Sequence, residues 1–282
     1  MFNEHQVPGL EGQLPNETHA LCRIGAAPYL ENLPLLAGLE QFSDVDLVQA
    51  PPSEMIEMLI SRLVDVALLP SIDLQHAEES LVVIPAGCIS STGRTFTARV
   101  YSQVRPNEIG TLWADMASHS SLTLAKLLWA ENYRRLLRVI PFDPVLEHAP
   151  HDAEAVLLIG DKVVADPPLG FDWQLDLGAM WFELTGLPFT FNVWATVEEA
   201  DHAAIYERLL AARIRGLTRL EQIANRHGPL HGWPEDLALR QLSRHTRFEF
   251  TDDHRDGLEE FFDRAESFRI IDRARPVYYY EP

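Results

Sequence analysis

From Leu21 onward, short apolar runs alternate with segments whose apolar residues recur every three or four positions. The runs "LCRIGA", "VDLVQA" and "VDVALLP" predict three strands, because brief apolar stretches bounded by Pro, Asp and Ser suit buried strands. Between the last two, Ser53 to Leu63 has helical spacing, with Ser53 as the expected N-cap and Glu54 and Glu57 in the first turn. Strands alternating with helices predict a mostly parallel, helix-covered sheet.

The pattern then changes. "SLVVIPAGCISS" and "TFTARVYSQV" are extended runs separated only by "TGR", which suits a strand pair or a crossing between lobes. A second series follows: "TLWADMAS", the helix "SLTLAKLLWAENYRRLL", "LRVIPF" and "AEAVLLIGDKVV". "LPFTFNVWAT" is a third extended run with Phe189, Phe191 and Val193 on one face. Beyond it the spacing is helical at 201–225, 233–244 and 252–268. The expectation is an α/β chain of two lobes around a cleft with a helical C-terminal return. A flexible tail spans 1–20, lobe one is discontinuous at 21–95 and 194–282, and lobe two covers 96–193.

At 282 residues and 46% hydrophobic composition the chain can bury full cores. Its 42 acidic against 23 basic residues give a net charge of −19, a field that repels phosphate backbones and anionic lipid surfaces. Nucleic acid and membrane partners are therefore excluded from the expectation, and an anionic small molecule needs local donors. Cys22 and Cys88 have no CxxC spacing and are expected to be buried, reduced thiols. With neither a membrane-length apolar run nor a secretory leader, the expected location is cytoplasmic.

In open α/β sheets the loops leaving strand carboxyl ends carry the chemistry. "ASHSSLT" opens a helix and offers Ser118, His119, Ser120 and Ser121 as donors for a carboxylate or phosphate at a positive helix end. Ser71 of "LPSID", Ser90 and Ser91 of "CISSTGRT" with Arg94 as a cation, and Asp161 after "LLIG" join the candidates. Each has a plainer reading as a cap, a turn or an exposed charge. In "GAAPYLENLPLLAGLE", Asn32 as N-cap would put Leu33 at N1 and Pro34 at N2, where a missing N–H costs nothing. Glu31 and Asn32 would then stand at the cleft-facing helix start. The histidine pairs of "HAPH" and "HGPLH" lack a matching carboxylate or cysteine set, so no metal is expected.

"RIGAAPYLENLPLLAGLE", "VDVALLPSID", "IPAGCISSTGR", "SHSSLTLAKLL", "LLIGD" and above all "DLGAMWFELTGLPFTFNVWA" together resemble the menaquinone-biosynthesis chorismate dehydratases of the futalosine pathway. The resemblance covers about Arg23 to Ala195. It implies a fold like that of the type II periplasmic binding proteins. It also implies a lyase that dehydrates chorismate to 3-[(1-carboxyvinyl)oxy]benzoate without metal or organic cofactor. Glu31 and Asn32 are then the expected catalytic residues, and Ser71, Ser90, Ser91, Arg94, Ser118, His119, Ser120, Ser121, Asp161 and Asn192 the expected substrate-binding ones. The chain departs from the family pattern at four of the expected cleft positions. Glu31 stands where Asn is usual, Thr92 and Arg94 flank Gly93 in place of Asp and Pro, His119 replaces an Arg, and Asn192 replaces a small apolar residue. A carboxylate-binding sensor without turnover, or an enzyme acting on another small carboxylate, fits the same residues.

Overall fold

The computed structural model describes residues 22–144, 146 and 148–282. The expected N-terminal tail therefore lies outside the described residues. A six-stranded sheet and a five-stranded sheet form two halves with a cleft between them.

The larger sheet begins with β1 (Cys22–Ala26), β2 (Val45–Gln49) and β3 (Val66–Pro70), all parallel with β1 between the other two. Their connections carry the short helices α1 (Leu33–Leu36) and α2 (Met55–Ile60). Ser53 does not cap α2: it sits inside a preceding 3-10 turn, Pro52–Glu54, and its N–H donates to Ala117 O at 3.1 Å. Proline at position 52 suits a tight start without a donor, so the N-cap position moves one residue on, from Ser53 to Glu54.

After α3 (Asp73–His76) comes the long β4 (Leu81–Ser91), which leads across to the smaller sheet. That sheet holds β5 (Ala98–Ser102), β6 (Thr111–Asp115), β7 (Arg138–Phe142), β8 (Ala155–Ile159) and β9 (Trp173–Asp176), in the order β7-β6-β8-β5-β9. Its helices are α4 (His119–Tyr133), α5 (Lys162–Ala165) and α6 (Leu177–Thr185). The chain then recrosses: β10 (Phe189–Val197) inserts between β3 and β4, antiparallel to both.

The helical return is α7 (His202–Leu217), α8 (Leu220–His227), α9 (Glu235–Arg240) and α10 (Asp252–Ser267). The first expected helix thus breaks at Thr218 and Arg219. A five-residue π-helical segment, Gln241–His245, follows α9. The chain ends with β11 (Tyr278–Tyr279) added parallel to β4.

The "DLGAMWFELTGLPFTFNVWA" segment locks the crossings. Both carboxylate oxygens of Asp176 accept Thr95 N–H at 3.0 and 3.2 Å, and they also accept Phe96 N–H at 2.9 Å and Ala179 N–H at 3.0 Å. A Cβ at Gly178 would lie 2.5 Å from Ser91 Oγ and 2.6 Å from Gly93 O, so only glycine lets α6 approach the β4–β5 crossing. Trp181, Phe189 and Phe261 then pack edge to face, tying α6 and β10 to α10. Cys88 is buried, which pushes its thiol up to about 12, whereas Cys22 is only half-buried.

Candidate active site

The carboxyl end of β1 leads through Pro28 and Tyr29 into a 3-10 turn, Leu30–Asn32, from which α1 continues. Leu30 is fully buried, which holds the turn by about 1.5–3 kcal/mol. Asn32 does occupy the N-cap position with Pro34 in the first turn. Its side chain makes no cap, however: Nδ2 donates to Ala27 O at 2.8 Å, tying the loop to itself.

Glu31 and Asn32 line a small cavity of about 20 Å³ between the two sheets, together with Thr97, Ser118, Ser121 and Asn192. That volume holds about one water, so a ring-sized ligand enters only if the two halves separate. Tyr29 borders this cavity and also an outer one of about 610 Å³ at the cleft mouth, where Lys162 pairs with Asp115 at 2.6 Å. The outer volume is in the range of ordinary small-molecule sites.

Two donors converge on one oxygen of Glu31. Thr97 Oγ1 donates to Oε2 at 2.9 Å, and Gln241 Nε2 reaches the same atom at 3.5 Å. Burial and the nearby Asp161 charge nevertheless outweigh these bonds and push the Glu31 carboxyl up to about 7. Both of these bonds go to Oε2 and neither to Oε1.

Across the cavity, Ser118 caps α4 by accepting Ser121 N–H at 3.3 Å, and its own hydroxyl donates to Ser121 Oγ at 3.1 Å. That direction leaves the Ser121 hydroxyl proton for a ligand, at the positive end of a fifteen-residue helix. Ser71 and Ser120 are buried behind the cavity, 3.1 Å apart, where Ser71 donates to Thr190 O and Ser120 accepts Ile72 N–H. They join the helix start to the larger sheet. His119 turns away to Asp73, with Nδ1 at 2.7 Å from Oδ1, and that bond raises its pKa.

Three more of the expected binding residues are placed elsewhere. Arg94 is exposed on the turn and lines neither cavity, because Gly93 at φ 97° directs the turn outward. Ser91 is buried against Gly178 and likewise lines neither. Ser90 meets His254 Nε2 at 2.8 Å and is not among the residues lining the cavity. Thr251 N–H donates to His254 Nδ1 at 3.2 Å, so Nε2 carries the proton and donates to Ser90 Oγ. That tautomer cannot activate the serine, and burial lowers the histidine pKa further. Ser90→Ala should therefore leave turnover within about twofold while costing about 1–3 kcal/mol, read as a lower Tm, because a buried N–H loses its acceptor.

Among the described residues no group of three or more His, Cys, Asp and Glu side chains is arranged to hold a metal ion. No helix among them is long and apolar enough to cross a membrane. Tyr29, Thr97, Gln241 and Lys162 are site residues that the sequence does not flag. Lys162 lies next to the expected candidate Asp161 and Thr97 three residues beyond Arg94, whereas nothing near Gln241 announces a role.

The sequence pattern of a family described as menaquinone biosynthesis matches residues 22–267, nearly the whole described chain. The chain belongs to that family. A chorismate dehydratase from Thermus thermophilus is 27% identical over 255 residues, covering 83% of this chain and 94% of the relative. Among solved structures, a protein from Archaeoglobus fulgidus superposes with a TM-score of 0.71 at 14% identity, over 90% of this chain and all of the other. A periplasmic aliphatic sulphonate binding protein from Escherichia coli gives a TM-score of 0.61 at 15% identity, over 90% of this chain and 94% of the other. The fold is thus that of the periplasmic binding proteins, as the sequence implies. In this chain the small cavity between the two sheets is lined by Glu31.

Proposed function

We propose that this chain dehydrates chorismate as a step of menaquinone biosynthesis by the futalosine route, with Glu31 as its general base. The observation that carries the reading is the Glu31 carboxyl, held near neutrality in a cavity between the sheets of a family member. The similarity to a chorismate dehydratase over most of both chains supports the substrate.

In this reading Glu31 Oε1 takes the proton from the ring carbon that bears the enolpyruvyl ether. The adjacent ring carbon loses its hydroxyl, and the proton passes to that leaving oxygen, so water departs and Glu31 returns ionised. The ring becomes aromatic, so the driving force belongs to the substrate and the protein supplies position and a matched base. An ionised Glu31 about 4 Å from a substrate carboxylate would cost on the order of 4 kcal/mol at an effective dielectric near 20. The two carboxylates therefore belong at the α4 start with Ser118 and Ser121, beside Asn192, and towards Lys162 at the mouth. Asn32 holds the Glu31 turn in shape through Ala27.

Purified protein incubated with chorismate should release the aromatic enol ether, detected by mass and ultraviolet absorbance. Tight chorismate binding without product would instead favour a carboxylate-binding protein, and neither binding nor product would remove chorismate altogether.

A further inference from the structure

The helical return reaches the site through a carboxylate. Asp161 follows β8 in the smaller sheet, but its acceptor sites are filled from outside that sheet. Leu30 N–H donates to Oδ2 at 3.1 Å, His231 Nδ1 donates to Oδ2 at 2.8 Å, and Trp233 Nε1 donates to Oδ1 at 2.6 Å. The Leu30 N–H is the first unpaired donor of the turn that carries Glu31, and such donors need a partner from elsewhere when buried. Asp161 is that partner, and it comes from the opposite half of the molecule.

We propose that His231 and Trp233 are positioning residues for Glu31, acting through Asp161 and the Leu30 N–H. The loop that carries them is built tightly. His231 N–H and Trp233 N–H both donate to Gly228 O, at 3.0 and 2.9 Å, and Trp233 is buried. A Cβ at Gly232 would stand 2.7 Å from Ala165 Cβ, so the loop is seated directly on α5. With three N–H donors on its two oxygens, Asp161 has one orientation, and the Glu31 turn inherits it. Without the Trp233 donor, Oδ1 loses its partner and the carboxylate is free to rotate away from Leu30. The other charged or titratable groups around this set are Glu31 and Tyr29 on the first turn, the Lys162–Asp115 pair, and Arg226 and His227 on α8.

The test uses the full chain and rests on the chorismate reading in only one of its arms. In the substrate-free arm, the Glu31 carboxyl is titrated by infrared difference spectroscopy against Glu31→Gln, in wild type, His231→Ala, His231→Asn and Trp233→Phe. His231→Asn keeps an N–H near the Nδ1 position. In His231→Ala and Trp233→Phe the titration should fall by about one pH unit or more towards the ordinary carboxyl range, as a loosened turn meets water. His231→Asn should keep it. In the turnover arm, kcat on chorismate should fall roughly ten- to a hundredfold in the same two variants with KM within about twofold, and His231→Asn should recover it. A lowered Tm with the Glu31 titration unchanged would overturn the proposal, as would His231→Asn behaving like His231→Ala. If His231→Ala fails to fold, Trp233→Phe and His231→Asn decide. A wild type without turnover would reject the chorismate reading alone, and the infrared arm would still decide this one.

Discussion

Glu31→Gln should lower kcat for chorismate by about 10²–10⁴-fold, the usual contribution of a positioned base. The same change should stabilise the protein at alkaline pH. The Glu31 carboxyl titrates at about 7 in the folded chain against 4.5 for the unperturbed group. Below pH 4.5 it is neutral in both states and costs nothing. As pH rises through 4.5 towards 7, the unfolded chain ionises first, so wild-type stability falls. Above 7 the accumulated penalty is on the order of 3 kcal/mol. Glutamine never ionises, so the variant should match wild type near pH 4 and exceed it in Tm near pH 8. Wild-type kcat/KM should show the companion effect: rising acidity protonates the base, so the rate drops as pH decreases through about 7. An active Glu31→Gln would mean that Glu31 is not the base, and a variant that gains no stability at high pH would mean that it is not buried as a neutral acid. Loss of activity with gain of stability is the pattern expected where a site is strained for function.

Gly216→Ala should be strongly destabilising, against the usual direction of such a change in a helix. At an open helical position alanine gains about 1 kcal/mol over glycine. Gly216 lies in α7, however, and a Cβ there would fall 1.9 Å from Pro34 O and 2.6 Å from Pro34 C. These are backbone atoms of α1, so no side chain can swing aside. Overpacking of this kind costs typically 1–3 kcal/mol and sometimes more. With a net loss of about 2 kcal/mol, Tm should fall by roughly 4–8 °C. Relief by movement of α1 would also shift the Glu31–Asn32 turn at its start, so kcat should fall with Tm. A Tm equal to or above wild type would show that α7 does not back the site turn this closely.

The elements were legible where one local signal set them. The three strands of the first series and the turn before Pro34 follow from apolar runs and a residue without an N–H, whereas the helix expected at 121–137 runs from His119 to Tyr133, behind a Ser118 cap. Errors arose where a second local preference competed. Ser53 is a good cap on paper, but Pro51 and Pro52 favour a tight turn first. The helix expected at 201–225 breaks at Thr218 and Arg219, between two helices whose spacing looks continuous.

Site residues divide in a similar way. The sequence locates the loops that leave strand ends, so Glu31, Asn32, Ser118 and Ser121 come together as candidates, and they line one cavity. It cannot choose among neighbouring hydroxyls, because successive strand residues face opposite sides. Ser90 and Ser91 thus look equivalent in the chain, yet one meets His254 and the other Gly178.

By itself, then, the sequence determined the α/β order and the crossings, since periodicity, caps and prolines act within a few residues. Only the tertiary structure decided what Glu31 is chemically. Its raised pKa depends on burial between two sheets and on Asp161, 130 positions away in the chain. Its donors, Thr97 and Gln241, come from the crossing and from the helical return. Such long-range placement leaves no local pattern, because desolvation and charge act through space and not along the chain.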